Sequence, residues 1–527
     1  MRPLPNLPNT QISHIPQWAN FHHTIVKRSV PVYLTPGGHG IPEGVSQGAA
    51  LTPDLNAILR YCYDAPPQRL CVIGSRWSLS NILDPGRVML DAGAWNQITR
   101  VEPQWLTSDY TRQAADHGGV PVIVQGGATI GTLNTVLGNA NLALQTSGAN
   151  DGHRIAGCIA TGTHGSHLKV GAVHDTVLAV LLVTGPGQAA FVQPACRRFT
   201  PKLTQWFRDE TLLDVHDLAD DRLFAASQVA LGGLGFVHSV IVEAVPLYEL
   251  YGLSVGRPLF DADVWQAMET LDTRALGSVN EPEFFSLVFS PFAKAGDNGS
   301  FATWLCKQPA SRPYAAPGPR NARISSDLSQ LLSRLIPVID HGLVGDVIGD
   351  IIAAETISQY GEAVIAPTFP DSMFGPTPLP EGNGRSVEIV VDHLDTRRAV
   401  LTVIEAIQQE GRAGRHLMGG VGVRFAPRTS ALLGMNIHAM NTYIEFPSLD
   451  SKDTTLIHRA VWRALWNAKI PFTCHWGQEY GMNPVSIRSY FGDRIGRWKM
   501  ARQALLPSVA ARSVFTNPLI EQLDLDC

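Results

Sequence analysis

Short hydrophobic runs alternate with glycine turns along residues 30–250. The run 70–73 predicts a strand that ends at Gly74. The run 120–125 predicts a second strand, and the apolar positions 130, 133 and 137 after it recur at the spacing of one helix face. Two further strands are predicted at 176–188 and 236–247. This mixture is typical of an α+β fold.

The pattern changes after residue 250. Loops rich in proline and glycine, 309–321 and 366–385, separate the apolar segments. The segment 385–412 predicts a strand and then a helix from Thr396 to Gln409, with a stop at Gly411. Residues 441–449 predict another strand, and residues 494–506 predict a basic helix. We therefore predict a second domain in this part of the chain.

Composition excludes several classes of protein. The 527 residues are 45% hydrophobic and 17% charged, with a net charge of −5 and no long Lys/Arg block, which argues against nucleic acid as a partner. The most apolar long segment, 335–354, is broken by proline and aspartate, so no membrane span is predicted. The N-terminus lacks the apolar core of a signal peptide. The seven cysteines contain no CxxC pair, which favours reduced thiols, a cytoplasmic location and no metal site.

Four loops combine glycine with hydroxyl or amide donors, and such turns form concave sites for anions. They are GSRWSLS (74–80), QGGATIG (125–131), TSGANDGHRIAG (146–157) and ATGTHGS (160–166). Each one alone can equally be a strand connection. Together they could surround a long polyphosphate ligand. The chain has neither a GxxxxGK[ST] loop nor a convincing GxGxxG fingerprint, so an ordinary nucleotide fold is not indicated.

The segment 155–166, IAGCIATGTHGS, closely resembles the pyrophosphate-binding signature of vanillyl-alcohol-oxidase (PCMH-type) FAD flavoproteins. The resemblance is greatest to the sugar-lactone and alditol oxidase branch. Further similar pieces follow in the expected order: VIGSRWSLS, VQGGATIGTLNTVL, ASQVALGGLGFVHSVIVEAVP, VGVRFAP, HWGQ and ARSVFTNPLIEQL. The resemblance covers 20–250 well and 385–527 moderately, and it does not extend to 250–384.

This resemblance implies a domain order and a set of FAD contacts. The expected parts are an N-terminal extension (1–28), a PCMH-type FAD-binding domain (29–248) with two subdomains, a substrate or cap domain (249–474) with an antiparallel sheet flanked by helices, and a C-terminal segment (475–527) that returns to the flavin. The expected FAD-binding residues are Gly74, Ser75, Arg76, Trp77, Ser78, Leu79, Ser80, Gly127, Ser147, Gly148, Ile155, Gly157, Thr161, Gly162, Thr163, His164, Gly165, Ser166, Val240, Ile241 and Asn517.

The first departure from the family concerns attachment of the cofactor. Related oxidases usually carry a histidine in the first loop that is joined to the flavin 8α-methyl group. The matching place here reads Arg76-Trp77-Ser78, and an indole has no basic nitrogen for that bond. We therefore expect noncovalent FAD. His153 is interpreted as a loop histidine, although another histidine could still form the bond.

Two more departures lie in the expected catalytic region. A Glu-x-Arg pair is common in the family, whereas this chain reads Gly422-Val423-Arg424, so the carboxylate is missing and the arginine remains. The motif HWGK reads HWGQ here, so Gln478 replaces a positive charge. Negative charge builds on the flavin during reduction, and a neutral donor stabilises it less.

Four residues are the expected catalytic group. His475 is the first candidate for the base, but it could also donate to the flavin or be a packed structural histidine. Glu388 is the second candidate for the base. Arg424 and Gln478 are expected to stabilise charge. Tyr443 and Tyr480 are further candidates, although a structural role is favoured for each.

Four functional hypotheses follow. The first is an FAD-dependent oxidase or dehydrogenase that moves hydride from a small C–H/C–OH substrate to flavin N5, with oxygen as a possible acceptor. The second is a diverged flavoenzyme that oxidises or oxygenates a natural-product or lipophilic intermediate, which the departures around the ring favour. The third, flavin binding without turnover, is disfavoured by the retained Arg424 and His475. The fourth is another nucleotide enzyme that shares only glycine loops. Substrate, electron acceptor and oligomeric state stay open.

Overall fold

The computed structural model describes residues 3–314 (apart from 42, 65, 84, 85, 87, 149 and 312), the strand 364–366 and residues 384–526. The predicted loops 309–321 and 366–385 lie largely outside these residues, and the apolar run 335–354 lies wholly outside them.

The first part of the chain forms a small mixed sheet with one covering helix. Its elements are β1 (Thr10–Ile15), β2 (Trp18–Ala19), β3 (Val26–Lys27), β4 (Val30–Pro36), α1 (Gln47–Tyr63), β5 (Leu70–Ile73) and β6 (Val88–Asp91). The sheet has the order β1-β4-β6-β5, and β4, β6 and β5 run parallel. The predicted strand before Gly74 is therefore an edge strand, and its carboxyl end opens into the first glycine loop.

A second, seven-stranded sheet follows. Its elements are β7 (Ile98–Arg100), α2 (Ser108–Ala115), β8 (Val120–Gln125), α3 (Ile130–Asn139), β9 (Leu142–Leu144), α4 (Ile155–Thr161), β10 (Val177–Gly185), β11 (Gln188–Gln193), α5 (Pro201–Thr211), β12 (Asp214–Ala219), α6 (Asp221–Ser227) and β13 (Phe236–Pro246). The main order is β12-β11-β10-β13-β8-β7, with β9 beside β13. Both faces of β10 are buried, which explains its nearly continuous apolar sequence.

The third sheet is an eight-stranded cap in which every pair is antiparallel. Its part of the chain contains β14 (Tyr248–Pro258), α7 (Ala262–Thr270), β15 (Phe284–Phe289), β16 (Asn298–Pro309), β17 (Val364–Ala366), β18 (Gly384–Arg385), β19 (Glu388–Asp392), α8 (Thr396–Arg412), β20 (Val421–Pro427), β21 (Met440–Glu445), β22 (Ser448–Leu449), α9 (Lys452–Asn467) and β23 (Thr473–Cys474). The order is β17-β14-β16-β15-β20-β21-β19-β23, while β18 pairs with β22 separately. Helices α8 and α9 pack against each other. The fold is thus α+β, as predicted.

The last residues form helices that pack back onto the first part of the chain. They are α10 (Pro484–Phe491), α11 (Arg494–Leu505), α12 (Val509–Val514) and α13 (Pro518–Gln522). Glu521 accepts a hydrogen bond from Arg69 at 2.5 Å. The buried guanidinium of Arg502 donates to the carbonyl of Gly233 at 2.9 Å. The C-terminal segment is therefore tied to the glycine turn that precedes β13.

Two predicted boundaries in the cap were wrong. Helix α8 passes through Gly411 and ends at Arg412, because one glycine costs only about 1 kcal/mol and does not by itself stop a helix. The single strand predicted at 441–449 is two strands, since Pro447 has no N–H group to continue the ladder.

Among the described residues, no helix is long and apolar enough to cross a membrane, and all cysteines are free.

Candidate active site

One cavity lies where the glycine loops, the cap sheet and the C-terminal segment meet. The first loop contributes residues 74–79 to its wall, and the loops around α4 contribute Gly148, Gly157, Thr161, Thr163 and His164. Strands of the cap contribute Glu388, Arg424 and Glu445, and the chain after β23 contributes His475 and Gln478. The cavity therefore joins the expected cofactor loops to the expected catalytic residues.

Trp77 in the first loop is held between two aromatic rings. The ring of Phe21 stacks on it at 4.2 Å, and the ring of His153 lies 4.5 Å away. The backbone of Arg76 has a φ of 61°, a strained conformation for a residue with a side chain. The N–H of Phe21 donates to the Arg76 carbonyl at 2.7 Å and so supports it. The N-terminal extension is thus part of the cavity wall.

Helix α4 forms a part of the cavity wall where a ligand can approach the backbone closely. Gly157 lines the cavity, and a Cβ atom placed on it would have no neighbour within 4 Å. The helix ends at Gly162, whose φ of 77° is left-handed and favours glycine. A side chain at 157 would thus project into the cavity instead of into protein. This open cradle fits a large cofactor that approaches the backbone closely.

Most of the expected cofactor residues line this cavity, and the others do not. Ser80 donates to the Trp476 carbonyl, Gly127 packs on the Ala92 carbonyl, and Ser166 donates to the Phe285 carbonyl. These residues support the loops instead of facing the cavity. The expected residues outside the lining are Ser80, Gly127, Ser147, Ile155, Gly162, Gly165, Ser166, Val240 and Ile241. Asn517 lines the cavity and donates to the Leu231 carbonyl.

The cap side of the cavity is a row of charged and polar side chains. In the register of the cap sheet, Gly422 faces Glu445, and Glu445 faces Glu388 on the next strand. Arg424 lies two residues from Gly422, and hence on the same face. Its guanidinium lies 3.6 Å from Oε1 of Glu388 and 3.1 Å from Oε2 of Glu445.

Glu388 is fully buried beside two histidines. Its Oε2 lies 3.0 Å from Nε2 of His164, and its Oε1 has no hydrogen-bond partner among the described residues. Burial raises the pKa of this carboxyl, but electrostatic interactions with His164, His475 and Arg424 and the hydrogen bond with His164 outweigh burial and lower the pKa to about 2. Glu388 is therefore ionised, with one oxygen available as an acceptor.

The hydrogen bonds of the two histidines define their roles. His475 Nδ1 accepts the Gly477 N–H at 3.0 Å, so the neutral ring carries its proton on Nε2. Burial lowers the pKa of His475 to about 4, so the ring is neutral at neutral pH. Both ring nitrogens of His164 face oxygen acceptors, at 2.8 Å from Gly165 O and 3.0 Å from Glu388. This geometry favours His475 as a donor over the predicted role of base.

His164, Glu388 and His475 are residue types that bind metals, and their ligand atoms lie within 4.8 Å of one another. The lone pair of His475 Nδ1 is already used by the Gly477 N–H. The Arg424 guanidinium lies close to Glu388 and adds a fixed positive charge. These contacts are typical of a cluster that binds protons and do not suit a metal cation.

The two tyrosine candidates do not line the cavity. Tyr443 stacks on His164 at 3.6 Å, and Tyr480 stacks on Trp476.

Sequence reasoning missed several residues of the wall. Glu445 and Ser386 come from the cap, His22 from the N-terminal extension, and Arg154 from the residue before α4. Gly232 and Gly235 line the cavity from the turn before β13. A charged residue at the end of the apolar run NTYIEF was the available signal for Glu445. Arg154, Gly232 and Gly235 lie in segments that the sequence analysis names, 146–157 and 226–246. No local pattern marked His22 or Ser386.

Residues 48–191 match the family described as FAD binding domain. The chain carries an FAD-binding domain. Together with the relatives below, this match supports the resemblance to the vanillyl-alcohol-oxidase-type flavoproteins and their lactone-oxidase branch, and it supports FAD as the cofactor.

Similar curated proteins are lactone enzymes. The chain is 23% identical to L-gulonolactone oxidase of Bos taurus over 227 residues, which is 43% of this chain and 41% of the relative. It is 26% identical to L-gulono-1,4-lactone dehydrogenase of Mycobacterium tuberculosis over 219 residues, 41% of this chain and 40% of the relative. It is 24% identical to D-arabinono-1,4-lactone oxidase of Candida albicans over 181 residues, 34% of this chain and 28% of the relative. The aligned part thus spans less than half of these relatives.

The fold as a whole is similar to that of solved flavoenzymes. Cholesterol oxidase from B. sterolicum superposes with a TM-score of 0.68, and the match covers 99% of this chain and 100% of that chain at 14% identity. A solvent-stable cholesterol oxidase gives a TM-score of 0.67 at 13% identity, covering 98% of this chain and 99% of that chain. At this level of identity the similarity concerns the fold alone.

Replacing Gly157 by leucine is expected to weaken FAD binding by about ten- to a hundredfold, because overpacking costs roughly 1–3 kcal/mol. The side chain would occupy cofactor space without touching protein. The dissociation constant, from flavin fluorescence on titrating the apoprotein, measures the effect. Gly496→Leu is the matched control, since Gly496 is also helical with nothing within 4 Å of its Cβ position but lies outside the cavity. Equal FAD affinities would place the cofactor elsewhere.

Proposed function

We propose that the protein is an FAD-dependent oxidoreductase that removes a hydride from a CH–OH group of a small molecule. The observation that carries this proposal is the shared cavity. The open glycine cradle at Gly157 forms one part of its lining, and Arg424, Glu388 and His475 form another. When bound there, FAD supplies the two-electron acceptor. The lactone enzymes among the relatives favour this hypothesis over oxygenation of a lipophilic intermediate.

The chain's own residues provide a route for the hydroxyl proton. Oε1 of Glu388 is a buried acceptor without a hydrogen-bond partner among the described residues. A substrate hydroxyl that donates to it would lie beside the Arg424 guanidinium, 3.6 Å from the same oxygen. As the C–H bond gives up its hydride, the hydroxyl proton passes to Glu388, which His164 holds from the other side. Arg424 stabilises the negative charge that develops on the substrate oxygen.

His475 and Gln478 act as neutral donors in this arrangement. The protonated Nε2 of His475 offers one N–H group next to Glu388. Gln478 is oriented by its own hydrogen bond to Glu445 at 2.9 Å. Neither carries a positive charge at neutral pH, whereas Arg424 does.

We further propose that the chain is divided into the domains predicted from its sequence. Strand β13 ends the seven-stranded sheet at Pro246 and β14 begins the cap at Tyr248, which supports a boundary near 248. Strand β23 is the last strand of the cap and ends directly before His475. A cytoplasmic location, and oxygen as a possible acceptor, remain part of this proposal. The absence of a CxxC pair supports the first of these.

Anaerobic mixing tests the reaction. The FAD-loaded protein is mixed with L-gulono-1,4-lactone, D-arabinono-1,4-lactone and a panel of polyols and simple secondary alcohols, and the visible flavin absorbance is followed. Bleaching by one of them supports the proposal. No bleaching by any of them, in protein whose flavin dithionite reduces normally, contradicts it. Admitting air afterwards then distinguishes an oxidase, which recolours quickly, from a dehydrogenase.

The FAD is expected to be noncovalent, because Trp77 stands at the attachment position and packs between Phe21 and His153. Acid precipitation should give a colourless pellet and a yellow supernatant. A yellow pellet would contradict this prediction. It would direct attention to His22 and His153, which line the cavity beside the indole.

A further inference from the structure

Glu445 connects the polar side chains of the cap wall. Its Oε2 pairs with Nη2 of Arg424 at 3.1 Å. Its Oε1 accepts two hydrogen bonds, from Nε2 of Gln478 at 2.9 Å and from the hydroxyl of Ser386 at 3.0 Å. All four residues line the cavity. One carboxylate therefore fixes three side chains that come from three different segments of the chain.

We propose that Glu445 is a positioning residue, which holds Arg424 and Gln478 at the cavity wall and sets the net charge there. This inference rests on the proposed function. Charge-assisted hydrogen bonds such as these are shorter and stronger than neutral ones, and they fix geometry. The Arg424 guanidinium lies between two carboxylates, Glu445 and Glu388. Replacing Glu445 removes the shorter of these two contacts, at 3.1 Å, and leaves the contact with Glu388 at 3.6 Å.

The register of the cap sheet offers a direct test of position. Gly422 lies directly opposite Glu445 and two residues before Arg424, so its side chain would share their face. A Cβ atom at Gly422 would find its nearest neighbours at 3.8 Å and 3.9 Å, which is ordinary contact. Its φ lies outside the left-handed range, so a side chain causes no backbone strain. A carboxylate can therefore be moved from 445 to 422, the position where the family resemblance places one.

The experiment compares Glu445→Gln, Glu445→Ala and the exchange variant Glu445→Ala/Gly422→Glu, each loaded with FAD. Two quantities are measured: the midpoint potential of the flavin, and the rate of its anaerobic reduction by the lactone or alcohol that bleaches the parent protein. Glu283→Gln is the matched control. Glu283 pairs with Lys169 and His167 away from the cavity, and its side chain is 19% exposed against 18% for Glu445.

Loss of the Glu445 charge leaves Arg424 less neutralised, so both single variants should raise the flavin potential. Their reduction rate should fall by about tenfold or more, because Arg424 and Gln478 lose their fixed positions. The exchange variant should bring both quantities back towards the parent values, and Glu283→Gln should change neither. A purely structural ion pair would not be rescued from the neighbouring strand.

Parent-like potentials and rates in both single variants overturn the proposal. A lowered rate that the exchange does not restore, with an unchanged potential, overturns it as well. If no compound reduces the parent flavin, the potentials still decide the matter, because they need no substrate. In that case the proposed function fails, while a raised potential that the exchange reverses still supports the role of Glu445.

Discussion

Replacing Arg424 by methionine is expected to slow flavin reduction by the substrate by about 10²–10³-fold, the usual effect of removing a preorganised charge stabiliser. The guanidinium faces the cavity and lies within 4 Å of both Glu388 and Glu445, so it is the cation next to the expected path of the hydroxyl proton. Its loss also leaves two neighbouring carboxylates without their shared counter-charge. Stopped-flow absorbance of the flavin under anaerobic conditions measures the rate.

Two variants make this prediction specific. Arg424→Lys keeps the charge but not the forked geometry, and should recover only part of the rate. Arg428→Met removes an exposed arginine that lies just beyond the same strand. The Nε of Arg428 donates to the Ile437 carbonyl, and Arg428 does not line the cavity. It should reduce at the parental rate. A parental rate in Arg424→Met, with normal FAD content, would remove Arg424 from the reaction.

The cofactor side of the site could be predicted from the sequence because its residues are close together along the chain. Residues 74–79 follow one strand, and the residues from Gly148 to His164 surround one short helix, so local glycine patterns were enough to indicate them. Ser80 and Ser166, which do not line the cavity, lie next to these segments. Only the three-dimensional orientation of each residue distinguishes the residues that line the cavity from those that support its wall.

The cap side could be predicted only in part. Arg424 and His475 lie in recognisable motifs, but Glu445 reaches them through the pairing of β19, β20 and β21, which are distant in sequence. Register is set by long-range packing, and one sequence does not reveal it. The role of His475 changed for a similar reason. The Gly477 N–H that occupies its Nδ1 is a feature of the turn and not of the residue type.

Element boundaries failed where local signals competed with packing. Gly411 indicated a stop, yet α8 buries Val403, Ile404 and Ile407 against the rest of the fold and continues to Arg412. Most helical stability in proteins comes from such an apolar face and not from propensity. At 441–449 a local signal prevailed instead, because the missing N–H of Pro447 interrupts an otherwise favourable strand.

Acidification is expected to destabilise the protein steeply below about pH 6.5. Burial lowers the pKa of five histidines from 6.5 to about 4: His22, His153, His167, His238 and His475. Between these pH values the unfolded chain binds protons that the folded chain does not, so stability is lost as the pH falls. Each such group contributes about 1.4 kcal/mol per pH unit, and total stabilities are about 5–15 kcal/mol, so roughly two pH units should exhaust it.

Glu388 adds to this loss at lower pH. Its pKa falls from 4.5 to about 2 on folding, so its contribution is complete above pH 4.5 and disappears as the pH drops towards 2. The histidines therefore control the window from pH 6.5 to 4, and the carboxylate acts below it. Because both effects have the same sign, they add as the pH falls.

One substitution isolates the contribution of a single histidine. His238 is buried outside the cavity lining, where its Nδ1 contacts the hydroxyl of Ser239 at 2.8 Å. His238→Gln should reduce the slope of unfolding free energy against pH by about 1.4 kcal/mol per unit between pH 6.5 and 5. Urea unfolding at several pH values measures the slope. If His238→Gln and the parent share one slope, burial of His238 does not hold its ring neutral, and the acid sensitivity has another source.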